Sequence, residues 1–318
     1  MTTSTTCLLS ILVPTWNRVE PTLRAIASVQ APSDGVEIIV VDNHSDPGVF
    51  ERLQTGVRQF PDVRLYQNDR NLGMVKNWNQ CITYARGEWM GLLCSDDIYL
   101  EGAVARACSL LSTLQTPSLV LPNPTTSGEV EHCPAGPETA RSIILPSASG
   151  NFWHRRVVET VGGFDERFEY SADVEFWYRV ARYFPVVKVN AAFAGYLRHS
   201  QSYMWTTWRQ NDFMQQIELL TRVNCGHVYA PDECARRVEA IVDQALWETV
   251  LHIVASSFLR LDKQDIFARY LPHALKRANS GERRKTLLAA LAQVTQARLQ
   301  AAWRRASEKI PSFGHRHR

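Results

Sequence analysis

Two adjacent carboxylates, Asp96 and Asp97, follow the apolar run Trp89–Leu93. In a parallel sheet the ligand sits at the carboxyl ends of the strands. Hard cations such as Mg²⁺ or Mn²⁺ take oxygen ligands, commonly one or two carboxylates together with substrate phosphates. The pair could hold such a cation against the diphosphate of a leaving nucleotide, or cap a helix starting near Leu100. Asp42 and Asn43 end another apolar run in IIVVDNHSD. An acid there could accept a hydrogen bond from a ribose or a base N–H, or form a turn ahead of the next helix. Asp173 opens the segment Asp173–Phe184, whose Phe176, Val180 and Phe184 share one helical face. A carboxylate at that point can take a proton from a hydroxyl, or serve as an N-cap. His199, in YLRHSQS, could complete a cation's shell through a neutral imidazole.

The segments around these residues alternate in character. Leu8–Val13 and Glu37–Val41 read as buried strands, Val63–Tyr66 as a shorter one, and Glu88–Cys94 as another. Between them, Val19–Gln30 is helix-like, and Asp46-Pro47 supplies a cap and an N1 proline for a helix to about Arg58. In Met74–Ala85 the apolar residues Met74, Trp78, Cys81, Ile82 and Ala85 fall on one helical face. Leu100–Leu114 reads as the next helix. Alternation of this kind predicts a Rossmann-like parallel sheet. Thr116–Gly150 reads as loops with a short strand at Leu119–Leu121. Arg155–Val161 and Asp173–Phe184 follow as helices, Val186–Val189 and Phe193–Leu197 as strands. From about Tyr203 the pattern is helical, with breaks near Pro231, Asp262 and Gly281.

Composition narrows the classes. At 318 residues and 45% hydrophobic content the chain can bury a large core. The longest apolar runs are far below the ~20 residues that cross a bilayer, and Leu8–Pro14 reads as a first strand with no basic region ahead of it. Seven cysteines without a CxxC pair point to reduced thiols in a cytoplasmic protein, not to structural zinc. The net charge of +3 is uneven. Nine basic residues lie from Arg283 onward against Glu308 alone, so the body before them is mildly acidic. A folded domain of that charge does not suit nucleic acid. The mixed apolar and basic segment Arg283–Lys309 could meet an anionic membrane surface peripherally, or pack on the protein with its charges solvated. No GxxxxGK[ST] or GxGxxG pattern is present, and the loop PTWNRVEP after the first strand has no glycine. These absences argue against NTPases, dehydrogenases and nucleotidyltransferases.

Taken together, the segments resemble the family 2 inverting glycosyltransferases of the GT-A fold. The resemblance rests on SILVPTWNR, IIVVDNHSD, QNDRNLGMVKNWNQCITYARGEWMGLLCSDD, VGGFDERFEYSADVEFWYRVA and YLRHS, in that order, over roughly residues 8 to 203. It implies an α/β fold, a mixed and mainly parallel sheet flanked by helices, with a catalytic domain at 1–203 and a helical region at 204–318. It implies a nucleotide-diphosphate sugar as donor, a glycan or lipid-linked acceptor, Mg²⁺ or Mn²⁺ as cofactor, and a place in cell-surface polysaccharide or glycan biosynthesis. Carried onto this chain, the family pattern puts Pro14, Thr15, Asn17 and Arg18 in the nucleotide loop. Asp42 would meet the base or ribose, with Asn71, Gly73 and Lys76 near the nucleotide and diphosphate. Asp96 would hold the donor, Asp97 and His199 the metal, and Asp173 would be the base. Two departures stand out: Cys94 and Ala172 occupy positions where many relatives carry acids. They keep open an alternative, a protein on this fold that binds nucleotide-sugar or glycan without turnover. Tyr203, Met204, Trp205 and Trp208 could close over a sugar or pack in the core.

Overall fold

The computed structural model describes residues 8–29, 35–60, 62–122, 129–142, 148–197, 207–210, 212–258, 260 and 263–293. The chain divides into two compact units. One comprises 1–200 with 222–236, and the other 201–221 with 237–318.

The first unit is built on β1 (Leu9–Thr15), buried at every position. Strand β2 (Val36–Asp42) runs parallel to it on one side and β4 (Trp89–Leu92) on the other. With both edges paired and helices over its faces, β1 carries the unbroken apolar run that such a position requires. Helix α1 (Glu20–Ser28) returns the chain to β2, and α2 (Pro47–Val57) leads to the edge strand β3 (Val63–Gln67). Helix α3 (Met74–Tyr84) then leads to β4, burying Val75, Trp78 and Cys81. The register aligns Thr15 with Asp42 and Asp42 with Gln67, so the chain leaves these strands along one rim.

Beyond β4 the sheet becomes mixed. Its eight strands are ordered β3-β2-β1-β4-β8-β6-β9-β7. Strand β8 (Phe152–His154) lies antiparallel between β4 and β6 (Leu119–Pro122). Strand β9 (Val186–Val189) pairs parallel with β6, and β7 (Val130–Cys133) closes the far edge antiparallel to β9. A separate ribbon joins β5 (Ile98–Tyr99) to β10 (Ala194–Gly195). Only these two residues of the expected strand Phe193–Leu197 pair.

The predicted helix Leu100–Leu114 shortens to α4 (Ala103–Leu111), because Gly102 turns left-handed at φ +67° just before it. Asp96 and Asp97 therefore do not cap that helix. Three short elements escape a periodicity reading: β7, α5 (Pro137–Ser142) and β8. Helix α6 (Arg155–Val161) follows β8 directly, and α7 (Ala172–Tyr183) begins after Ser171, which stands at φ +59°. Asp173 thus lies in the first turn of α7 and is not its cap. An aromatic cluster fixes α7 to the sheet: Trp153 of β8 packs edge-on against Phe164 at 5.8 Å and Phe176 at 5.7 Å.

Among the described residues the chain continues with α8 (Phe213–Val228), α9 (Pro231–Ser257) and α10 (Gln264–Arg277), and residues 281–293 are also helical. Within the second unit, Trp208 packs on His252 and Phe213 on Tyr270. Arg209 pairs with Asp265 at 2.6 Å. Arg283 is engaged inside this unit, 2.8 Å from Asp243 and stacked over Trp247, with Leu287 buried and Leu288 exposed. Arg284 donates to the Ala278 carbonyl at 3.0 Å, and the part of the expected membrane-facing segment beyond residue 293 lies outside the described residues. Among the described residues, no helix is long and apolar enough to cross a bilayer.

Candidate active site

The rim at the carboxyl ends of β1, β2 and β4 gathers most of the predicted residues. Pro14 is buried at the end of β1, and Thr15 shares a 2.7 Å hydroxyl hydrogen bond with Thr22 of α1. The Thr22 hydroxyl donates to the Arg18 carbonyl at 2.5 Å, closing the loop 15–18 onto α1. Asn17, at φ +51°, accepts from the Asp46 amide at 2.9 Å and donates its own amide to the Ser45 hydroxyl at 2.7 Å. The loops after β1 and β2 are thereby tied together. Trp16 stands between them, half-exposed.

Asp42 is fully buried and its carboxylate is well occupied. It accepts from the Ser45 amide at 2.8 Å, from the Ser45 hydroxyl, and from Gln67 at 3.1 Å. The residue expected to meet base or ribose is here organising its own loop. Next to it is a network of four asparagines. Asn43 accepts from Asn68 at 3.0 Å and from the Leu72 amide at 2.9 Å, and donates to Asn71 at 2.9 Å. Asn68 donates to Asn77 at 2.8 Å, and Asn77 donates to the Val41 carbonyl at 3.1 Å. The Gly73 amide donates to Asn71 at 2.9 Å, and Gly73 stands at φ +85° as the chain enters α3. Lys76 is exposed one turn into that helix, 3.9 Å from Glu166.

At the end of β4 the two carboxylates have different surroundings. Asp96 faces Arg18 across 2.6 Å. Asp97 is 2% exposed, accepting from the Ser149 hydroxyl at 2.6 Å and from the Leu197 amide at 3.3 Å. The same Ser149 oxygen accepts the Cys94 amide at 2.9 Å. Ser149 therefore fixes both ends of the Cys94–Asp97 turn, whose own Asp97 amide donates to the Cys94 carbonyl. Burial pushes the Cys94 thiol well above its ordinary pKa; Asp97, Asp96 and Asp173 add to the rise, against the Ser149 bond.

Asp173 keeps part of its surface in solvent. Burial still raises its carboxyl to about 6, against backbone N–H groups at Val174 and Asp173 that favour the ionised form. A carboxylate near that value is ionised at neutral pH and still basic enough to accept a proton. Two residues on, Glu175 is 1% exposed and held by Arg179 through two bonds of 2.7 and 2.8 Å. His227 also lies 3.2 Å from Glu175. Burial pushes Glu175 up, and Arg179 with His227 more than reverse this, leaving it below the usual carboxylate range. Arg179 in turn donates to the carbonyls of Val161 and Gly163 at 2.5 and 2.8 Å. From the other side Asn79 brackets Phe164, donating to its carbonyl and accepting its amide, both at 2.9 Å. The segment before α7 is gripped from two helices.

The chemistry of the donor set fits a hard cation. Two adjacent carboxylates at a strand end are what Mg²⁺ commonly takes from a protein, leaving its other positions to water and phosphate. Among the described residues, no group of three or more histidine, cysteine, aspartate or glutamate side chains is placed to hold a metal ion. His199 lies outside the described residues, as do Tyr203, Met204 and Trp205. Sequence reasoning did not single out Ser149, Asn79, Glu175, Arg179 or His227. The Glu175–Arg179 spacing of four on a helix was the one available signal. Ser149 and His227 act only through contacts distant in sequence.

Residues 10–136 match the model of glycosyl transferase family 2. WcaA of Escherichia coli, a glycosyl transferase named for colanic acid biosynthesis, is 39% identical over 93 residues, 28% of this chain and 33% of that protein. The chain spans between a third and about three fifths of the length of the curated relatives it matches. Residues 1–349 of TarS from S. aureus, in complex with UDP-GlcNAc, superpose with a TM-score of 0.58 at 16% identity, covering 92% of each chain. The mannosyltransferase PcManGT from Pyrobaculum calidifontis, in complex with GDP-Man and Mn²⁺, gives 0.56 at 16%, covering 92% of this chain and 86% of that one. A mixed, mainly parallel sheet flanked by helices and these neighbours agree with the matched segment: residues 10–136 match glycosyl transferase family 2, and the chain carries the GT-A fold.

Proposed function

We propose that this chain transfers a sugar from a nucleotide-diphosphate sugar to an acceptor hydroxyl with inversion, using 1–203 as its catalytic domain. The observation that supports this most directly is the carboxylate pair after β4, with Asp96 against Arg18 and Asp97 held by Ser149, together with Asp173 raised to about 6 by burial. Asp173 takes the proton from the acceptor hydroxyl as its oxygen attacks the anomeric carbon, in a single displacement. Asp96 and Asp97 would hold Mg²⁺ or Mn²⁺, which when bound neutralises the charge that develops on the leaving diphosphate. Arg18 offers a guanidinium to the same phosphates, and Asn71, Gly73 and Lys76 line the nucleotide side. Asp42 acts on the base or ribose by fixing the loop that meets them. By the resemblance His199, outside the described residues, would serve the metal.

The relative named for colanic acid biosynthesis supports a place in surface polysaccharide assembly, with a glycan or lipid-linked acceptor met at the cytoplasmic membrane face. A second reading, binding without turnover, rests on Cys94 and Ala172 standing where many relatives carry acids. One experiment addresses both: release of nucleoside diphosphate from UDP-, GDP- and dTDP-sugars, with and without Mn²⁺ or Mg²⁺, beside Asp97→Ala and Asp173→Asn. Metal-dependent release lost in both variants supports transfer. Nucleotide binding by calorimetry with no release under any condition, acceptors included, would leave only the binding reading.

A further inference from the structure

Residues 222–236 fold back on themselves at Tyr229–Pro231 and bring two thiols together. Cys225 Sγ lies 3.9 Å from the Cys234 carbonyl oxygen, so the two residues stand side by side across the turn. Both are free cysteines, Cys225 buried and Cys234 partly exposed. The turn between them is held from outside. Arg141 lies 5.2 Å over the Tyr229 ring and 3.8 Å from Glu233, and the Cys234 amide donates to the Ala230 carbonyl at 2.8 Å. By contrast, Cys133 donates to Glu131 and Cys94 faces Ser149 and the site acids.

We propose that Cys225 and Cys234 form a site of reversible oxidative modification, closing into an intramolecular disulfide by exchange with a low-molecular-weight disulfide of the glutathione class. A disulfide needs Cα atoms within about 7 Å and side chains that can reach each other, and a sulfur 3.9 Å from the other cysteine's backbone starts close to that range. Cys234, the accessible sulfur, attacks the external disulfide as its thiolate, and one glutathione thiolate leaves. Cys225 then gives up its proton and attacks Cys234 Sγ, and the second glutathione thiolate leaves. Two protein thiols are oxidised, one glutathione disulfide is reduced to two thiols, and both protons are accounted for. Burial, with Cys234 beside it, pushes the Cys225 thiol up to about 12. That suits a resolving thiol shielded from solvent better than a first attacker. Closure clamps the turn that carries His227, two residues beyond Cys225, whose imidazole touches Glu175 on α7.

The test uses the full chain, folded, incubated with excess oxidised glutathione, alkylated with iodoacetamide and mapped by mass spectrometry. The expected product is a cross-linked pair of peptides, two hydrogens lighter than the separate thiols and reopened by dithiothreitol. In Cys225→Ser the glutathione adduct should persist on Cys234, with no resolving thiol. Phenylarsine oxide, which bridges thiols in contact, should protect both cysteines from alkylation in one-to-one stoichiometry. An adduct that persists on Cys234 in the natural chain while Cys225 stays alkylatable would overturn the proposal. So would full alkylation of both after either reagent.

Discussion

The guanidinium of Arg18 and the carboxylate of Asp96 meet at 2.6 Å, joining the loop after β1 to the turn after β4. Each therefore occupies the partner that a metal-bound diphosphate would otherwise satisfy. Under the proposed function, donor binding would exchange this pair for Arg18 on phosphate and Asp96 on cation.

Arg18→Ala should accordingly move two affinities in opposite directions. Nucleoside diphosphate binding should weaken by roughly tenfold or more, the worth of one charge-assisted hydrogen bond. Mn²⁺ binding in the absence of nucleotide should tighten, because Asp96 loses its internal counter-ion. Isothermal calorimetry of each ligand alone reads both, and unchanged Mn²⁺ affinity would remove the exchange.

Asp173 links activity to stability through pH. Its carboxyl holds a proton more tightly in the folded chain than in the unfolded one, since burial raises it from 3.8 to about 6. Its contribution to stability is thus complete below about pH 4 and is lost as pH rises through about 6. At neutral pH the cost is up to roughly 3 kcal/mol. Asp173→Asn should abolish transfer while raising the melting midpoint at pH 7.5, and the gain should vanish near pH 4. In the natural chain, turnover should fall as pH drops through about 6. Near-normal transfer by Asp173→Asn would take Asp173 out of the proton-accepting role.

Ser149→Ala removes the hydroxyl that fixes Asp97 and the Cys94 amide together. A hydrogen bond to a buried charge is worth about 1.5–3 kcal/mol. The variant should lose stability of that order, and should need more Mn²⁺ for half-maximal turnover. Metal titrations of activity, beside urea melts, separate the two effects. An unaltered metal requirement would mean Asp97 is oriented without Ser149.

Gly163→Ala tests the grip on the segment before α7. A Cβ at this position would stand 2.5 Å from Asn79 Oδ1, an atom committed to the Phe164 amide. Overpacking of this kind costs about 1–3 kcal/mol, and Asn79 can yield only by releasing that amide. Chemical denaturation should report the loss, and pairing the change with Asn79→Ala should recover part of it. A neutral Gly163→Ala would show that the segment has slack.

The parts legible in the sequence are those written in short-range patterns. The seven buried residues of β1 are paired on both sides and covered by helices, so their apolar character is continuous and visible. Asp42, Asp96 and Asp97 could be found because parallel strands deliver their carboxyl ends to a common rim. Strand β8 escaped because three residues carry no period, and its place beside β4 is set by pairing, not composition. Ser149 escaped for the same reason, sitting 52 positions from the carboxylate it holds. The turn alternative for Asp42 is the one Ser45 takes up, whereas the contact from Gln67, 25 positions away on the neighbouring strand, has no local signal.

The asparagine network beside β2 gives the two flanks of the site different responses to ionic strength. Asn43, Asn68, Asn71 and Asn77 shape their flank with neutral dipoles, which mobile ions barely screen and which do not titrate. The opposite flank is made of formal charges, Arg18, Asp96 and Asp97 among them. For the proposed donor, added salt should therefore erode recognition of the diphosphate while leaving the shape of the asparagine-lined flank almost untouched.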